Sequence, residues 1–225
     1  MGHSLTVPTA GMHCIGAWRA DPPGTPRGGI VVVQEIYGVN AHIRRMVEGY
    51  AATGYVAIAP ALFDHAESGA ELGYDGAGTA RGRALAAEVG FERAVAGVAS
   101  AAQAIASAGC IGVVGYCWGG TVAFLACTRL GLPAVDYYGA RSLPFLGERP
   151  RAPLLMHFGQ HDPLIPPEAV AQHRAALPDA EIHVYPAGHA FNRDVDPDHY
   201  HAASAELAQQ RSLAFFARHL GGMPA

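Results

Sequence analysis

Cys117, Asp162 and His189 are the residues of this 225-residue chain whose types and settings could do covalent chemistry. Cys117 lies in Gly115-Tyr116-Cys117-Trp118-Gly119, a glycine-x-nucleophile-x-glycine turn of the kind that lifts a reactive side chain above the end of a strand. The turn is so sharp that side chains two positions either side of the nucleophile would strike neighbouring backbone, hence the glycines. Asp162 follows in Gly159-Gln160-His161-Asp162-Pro163, and His189 in Pro186-Ala187-Gly188-His189-Ala190-Phe191. A thiol becomes a nucleophile when an imidazole takes its proton, and a carboxylate behind the imidazole fixes its tautomer. The chemistry is attack on an acyl carbonyl, giving a thioacyl-enzyme that water then cleaves. Each residue has a plainer reading. A buried thiol packs as a small hydrophobe, an aspartate before proline forms a turn, and His189 is one of twelve histidines. Three of them in this order, each just after an apolar run, argue for a working set.

Such a set requires a scaffold that brings distant loops to one edge. Apolar runs predict strands at 29–34, 55–59, 110–114, 134–138, 153–158 and 181–185. Helices are predicted over 41–52 (with Asn40 as N-cap), 81–108 (broken near Gly90), 120–126, 167–176 and 198–220. The glycine-rich stretch 63–79 reads as a loop over one end of the sheet. Alternating strands and helices imply an α/β fold: a mostly parallel sheet with helices on both faces and no large cap domain. In such sheets the ligand crevice lies beyond the carboxyl ends of the strands. The order nucleophile, acid, histidine is that of the α/β-hydrolase architecture.

Bulk properties narrow the partners. The length and 50% hydrophobic content suit a single domain spanning 1–225. A net charge of −4 shows no preference for nucleic acid or anionic membrane. No apolar stretch approaches the roughly 20 residues of a membrane span, and the first residues lack the pattern of a signal peptide. Four scattered cysteines without a Cys-x-x-Cys pair fit free thiols in a cytoplasmic protein, a monomer or weak homo-oligomer. No cofactor or metal is expected. Asp194, Asp196 and Asp198 are spaced like the start of a calcium loop, but His199 stands where glycine is needed. His157 and His161 lack a third zinc ligand. A redox sensor would need a resolving cysteine, and Cys127 lies too far along the next helix.

Four motifs resemble those of the dienelactone hydrolase (carboxymethylenebutenolidase) family: Gln34-Glu35-Ile36-Tyr37-Gly38-Val39-Asn40, Gly115-Tyr116-Cys117-Trp118-Gly119-Gly120, Gly159-Gln160-His161-Asp162 and Gly188-His189-Ala190-Phe191. The resemblance implies several roles. Glu35 contacts the thiol and helps to form the thiolate when substrate binds. The amides of Ile36 and Trp118 hold the oxyanion. Arg193 binds a substrate carboxylate, with Arg81, or Arg83 beside it, as a second arginine. Tyr37 lines the cleft or merely packs. The aromatic residues that the family carries after its second arginine are replaced here by Leu85 and Glu88, a departure that alters the pocket.

Cysteine constrains the substrate further. A thiolate leaves a tetrahedral intermediate more easily than an ordinary alkoxide, so simple alkyl esters revert, whereas an enol ester expels a stabilised enolate. The expected substrate is a small enol-lactone or activated ester bearing a carboxylate. The alternative is a carboxylesterase or lactonase acting on another small acidic molecule.

Overall fold

The computed structural model describes residues 2–9 and 13–221. Its centre is β3 (Gly29–Val33), a β-branched run whose five residues are all buried. A strand without polar alternation has no face to offer to water, so it must lie inside a sheet covered on both sides. β3 pairs in parallel with β4 (Val56–Pro60) on one side and β5 (Ile111–Tyr116) on the other. Beyond β5 come β6 (Ala134–Tyr137), β7 (Leu154–Gly159) and β8 (Glu181–Tyr185), all parallel. Beyond β4 the sheet continues with two antiparallel strands, β2 (Cys14–Ala20) and β1 (His3–Pro8). The order is β1-β2-β4-β3-β5-β6-β7-β8. The sequence reading opens the sheet at residue 29 and so lacks β1 and β2.

Pleat alternation along β5 assigns the helices to faces. A Cβ at Gly112 would meet Phe216 of α5 (Ala202–Leu220), whereas one at Gly115 would run into α3 (Trp118–Leu130). α1 (Ala41–Ala52) joins the α5 face, with Tyr50 and Phe216 ring centroids 6.0 Å apart. α2 (Gly76–Ala104) joins the α3 face, where Phe91 stacks on Trp118 at 6.3 Å. α4 (Pro167–Ala176) connects β7 to β8.

Helix boundaries follow capping chemistry. The Asn40 side chain accepts from the Ile43 amide at 3.3 Å and starts α1 as predicted. α2 starts at Gly76, earlier than the predicted residue 81, because Asp75 accepts from the Gly78 amide at 2.7 Å. Gly90, at φ 68°, breaks α2 into two. α5 starts at Ala202 rather than residue 198, with His201 as its cap. Part of the 63–79 loop is therefore a short 3₁₀ turn (Leu62–His65) and the first turn of α2. The remainder is fastened to the loop after β3. Leu72 donates to the Tyr37 carbonyl at 3.0 Å, and Gly38, at φ 80°, passes so close to the Ala70 carbonyl that a side chain could not fit.

Candidate active site

The chain leaves β5 through Cys117, whose φ of 56° and ψ of −117° are unusual for a residue with a side chain. The turn is held because both flanking glycines are sterically required. A Cβ at Gly115 would collide with the Gly119 carbonyl, and one at Gly119 with the carbonyls of Val33 and Gln34. The Cys117 amide donates to the Tyr137 carbonyl at 2.9 Å, tying the turn to β6. Its sulfur therefore stands at the carboxyl edge of the sheet.

Asp162 and His189 reach the same point from the loops after β7 and β8. The fully buried Asp162 carboxylate accepts from the Leu164 amide at 2.8 Å through Oδ1, and from His189 Nδ1 at 2.7 Å through Oδ2. His189 Nε2 faces Cys117 Sγ at 3.2 Å. The sequence-predicted trio is thus one hydrogen-bonded line. Burial acts against a charged imidazole at His189, yet the negative charge of Cys117 and the bonds to Asp162 and the sulfur outweigh it. They lift the His189 pKa to about 10. A proton on this ring is favoured while the sulfur is a thiolate.

Two backbone donors belong to residues that line the cleft with Cys117. The amides of Ile36, after β3, and Trp118, the first residue of α3, have no acceptor within the protein among the described residues. The amino end of α3 adds its partial positive charge at the same place. Trp118 also packs between Phe63 and Phe91, so its ring serves both core and cleft.

Glu35 and Arg193 differ from the expectation. Instead of touching the thiol, the buried Glu35 carboxylate is gripped by Arg193 through Nε at 2.9 Å and a second nitrogen at 3.1 Å. The third nitrogen of Arg193 holds Asp196 at 2.9 Å. Its guanidinium is also enclosed by the rings of Tyr37 and Tyr74, at 5.1 and 4.8 Å from their centroids. Arg193 lines the cleft, but its charge is already shared between two carboxylates. A carboxylate at the end of an apolar strand needs such a partner to offset its desolvation.

The second arginine is corrected by the structure. Arg81 is exposed and paired with Glu67, away from the cleft. Arg83 lines it instead. Tyr37 also lines it, with its hydroxyl 3.1 Å from that of Thr79. The cleft has a volume of about 670 Å³ and includes Cys117, Trp118, His189, Ala140, Arg141, Pro163 and Leu164.

Sequence reasoning missed four residues here. Tyr74 lies in the 63–79 loop and completes the Arg193 enclosure; its distance along the chain gave no signal. Tyr138, at φ 45°, sets its ring edge against His189 at 5.1 Å and has no partner for its buried hydroxyl. Asp136 is wholly buried in β6, with one oxygen bonded to the Gly139 amide at 2.7 Å and the other unpartnered. An aspartate inside an otherwise apolar strand was the available sign. Arg141 follows that strand into the cleft.

Among the described residues no three His, Cys, Asp or Glu side chains are grouped to hold a metal. Asp194 instead contacts His42 and Arg45, and Asp196 contacts Arg193 and His199. No helix among them is long and apolar enough to cross a membrane.

Known proteins resemble this chain over most of its length. The carboxymethylenebutenolidase of Pseudomonas putida is 33% identical over 217 residues, covering 91% of this chain and 92% of its own. An Azospirillum brasilense protein provisionally named a carboxymethylenebutenolidase is 34% identical, covering 96% of this chain and 99% of its own. A Klebsiella pneumoniae structure, provisionally named a dienelactone hydrolase, superposes with a TM-score of 0.85 at 32% identity, covering 97% and 99% of the two chains. The pattern of the dienelactone hydrolase family itself matches residues 15–220. In sequence and in shape alike, this α/β chain belongs to the dienelactone hydrolase family.

Proposed function

We propose that the protein hydrolyses small enol-lactones or activated esters bearing a carboxylate, with Cys117 as nucleophile, His189 as acid–base and Asp162 as its orienting partner. Family membership carries hydrolase action on lactones; the cysteine mechanism is our reading of the site. The observation that carries it is the line from Asp162 Oδ2 to His189 at 2.7 Å and from His189 to Cys117 Sγ at 3.2 Å.

In this mechanism the sulfur, its proton held by His189, forms a bond to the carbonyl carbon. The carbonyl electron pair moves onto oxygen, which accepts from the Ile36 and Trp118 amides. Collapse re-forms the carbonyl and breaks the carbon–oxygen bond, releasing an enolate that takes its proton from His189 Nε2. The neutral imidazole then removes a proton from water, whose oxygen attacks the thioacyl carbon. The second collapse expels the thiolate beside the reprotonated ring. Glu35 acts at one remove, by fixing Arg193 under Tyr37 and Tyr74, and Arg83 receives the substrate carboxylate that the sequence reading gave to Arg193 with Arg81 or Arg83 as a second arginine.

A chromogenic activated ester tests this reading. Stopped-flow measurement is expected to give a stoichiometric burst followed by turnover, and mass spectrometry of the quenched enzyme an acyl group on Cys117. A burst that survives in Cys117→Ala would remove the proposal.

A further inference from the structure

The chain has no lysine and fifteen arginines, and most of these are hydrogen-bonded to carboxylates, carbonyls or a phenol. Three have no side-chain hydrogen bond or ion pair among the described residues: Arg83, Arg141 and Arg149. Arg149 lies in a separate hollow beside the turn before β8. The other two both line the catalytic cleft.

They enter it from opposite sides of the nucleophile. Arg83 follows Gly82, which packs directly on the Ile36 carbonyl, so it belongs to the β3 side of β5. Arg141 belongs to the β6 side, where its amide donates to the Thr121 hydroxyl in the first turn of α3 at 3.1 Å. The floor between them is acidic. Arg193 bridges Glu35 and Asp196, His199 also contacts Asp196, and if the sulfur and imidazole form a neutral ion pair, Asp162 adds a third carboxylate beneath the cleft. Those carboxylates work against an anionic substrate, and the uncommitted cations at the walls offset them.

We propose that Arg141 is a specificity-determining residue, binding a second acidic group of the substrate at the end opposite the group held by Arg83. The preferred substrate class is then a small lactone or ester with a carboxylate on each side of the scissile bond. This rests on the hydrolase reading above and extends it.

The test crosses Arg83→Ala, Arg141→Ala and Arg141→Lys with three chromogenic esters. One is neutral para-nitrophenyl butyrate, one is para-nitrophenyl hemiglutarate with its charge on the acyl part, and one is the butyrate ester of a nitrated hydroxybenzoate with its charge on the leaving group. We expect Arg141→Ala to lower the charged-to-neutral ratio of kcat/KM by about 30-fold for one charged ester only, the scale of a lost charged hydrogen bond. Arg83→Ala should do so for the other, and lysine at 141 should restore part of the ratio. An unchanged ratio in Arg141→Ala, or losses from both arginines on the same ester, would overturn the proposal. Absence of turnover of all three esters by the unaltered enzyme would instead strike the hydrolase reading.

Discussion

Two imidazoles, His189 at the cleft and His157 in the core, are shifted in opposite directions by the same fold. His189 has charged partners, Asp162 and the Cys117 sulfur, and its pKa rises to about 10 against the opposing effect of burial. His157, fully buried in β7, is pushed well below the usual range by burial and by the nearby His183 and Arg211. Its partners are neutral and their roles are fixed. Ser212 donates to the Ala208 carbonyl at 2.9 Å, so its oxygen accepts from Tyr137 at 2.8 Å and from His157 Nε2 at 3.0 Å. His157 Nδ1 then accepts from Tyr185 at 2.8 Å, and Tyr185 accepts from Arg211 at 3.1 Å. A proton added at Nδ1 would break this chain. Burial works against the charged form of both rings; what lets His189 hold a proton is the negative charge of its neighbours, which His157 lacks.

Removing the sulfur should have the largest effect. Cys117→Ala is expected to lower kcat by about 10⁵-fold, as loss of a nucleophile does elsewhere. An NMR titration of the variant should find the His189 pKa below that of the parent, since the sulfur charge is gone. An unchanged value would mean that Asp162 alone sustains the shift. Asp162→Asn keeps the shape but no longer fixes the tautomer, so kcat should fall by about 10³- to 10⁴-fold. In steady-state assays a smaller loss would detach the carboxylate from the mechanism.

His157→Gln tests the other imidazole. At pH 7.5 urea unfolding should show a loss of about 2 kcal/mol from the disturbed hydrogen bonds, with kcat per folded molecule little altered. The pH dependence has a definite sign. The unfolded imidazole binds a proton below about pH 6.5, whereas the native His157 does not. Its contribution to stability is therefore constant above that pH and declines as the pH falls through it. The variant should lose less stability than the parent between pH 7.5 and 5.5. An equal loss in both would assign the acid sensitivity to other histidines.

The smallest effect concerns Asp136, which burial raises from 3.8 to about 7 against the Gly139 amide and the charge of His189. A carboxyl raised in the fold gives up stability as the pH climbs from about 4 to about 7, and the loss is complete above that. Asp136→Asn removes the ionisation, so thermal melts should show a gain of about 1–2 kcal/mol at pH 8 and little at pH 4. Destabilisation at pH 8 would mean that the carboxylate has an ionised role in holding the elbow.

Much of this was legible from sequence, because the elbow and the two strand-end loops carry their chemistry within a few residues each. β3 and β5 announced themselves by unbroken apolar runs, and β6 to β8 by short, mostly apolar stretches bounded by turn residues. β2 did not, because its burial alternates and it includes Gly16 and Arg19. The arginine error has a geometric source. At about 100° per residue along a helix, positions 81 and 83 point to nearly opposite sides, so their proximity in sequence concealed a choice between solvent and cleft. Glu35 and Arg193 were both singled out, but their pairing spans 158 positions and no local pattern encodes it.

Cys117, Tyr138 and Ala190 are the non-glycine residues with positive φ among those described, and they sit on three separate loops around the cleft. They are linked in series: the Cys117 amide reaches the Tyr137 carbonyl, next to Tyr138, and the Tyr138 ring meets His189, next to Ala190. Relaxing one loop lets the others uncoil towards ordinary geometry, while the helices and inner strands lose nothing. On warming, turnover should therefore disappear several degrees before circular dichroism records any melting.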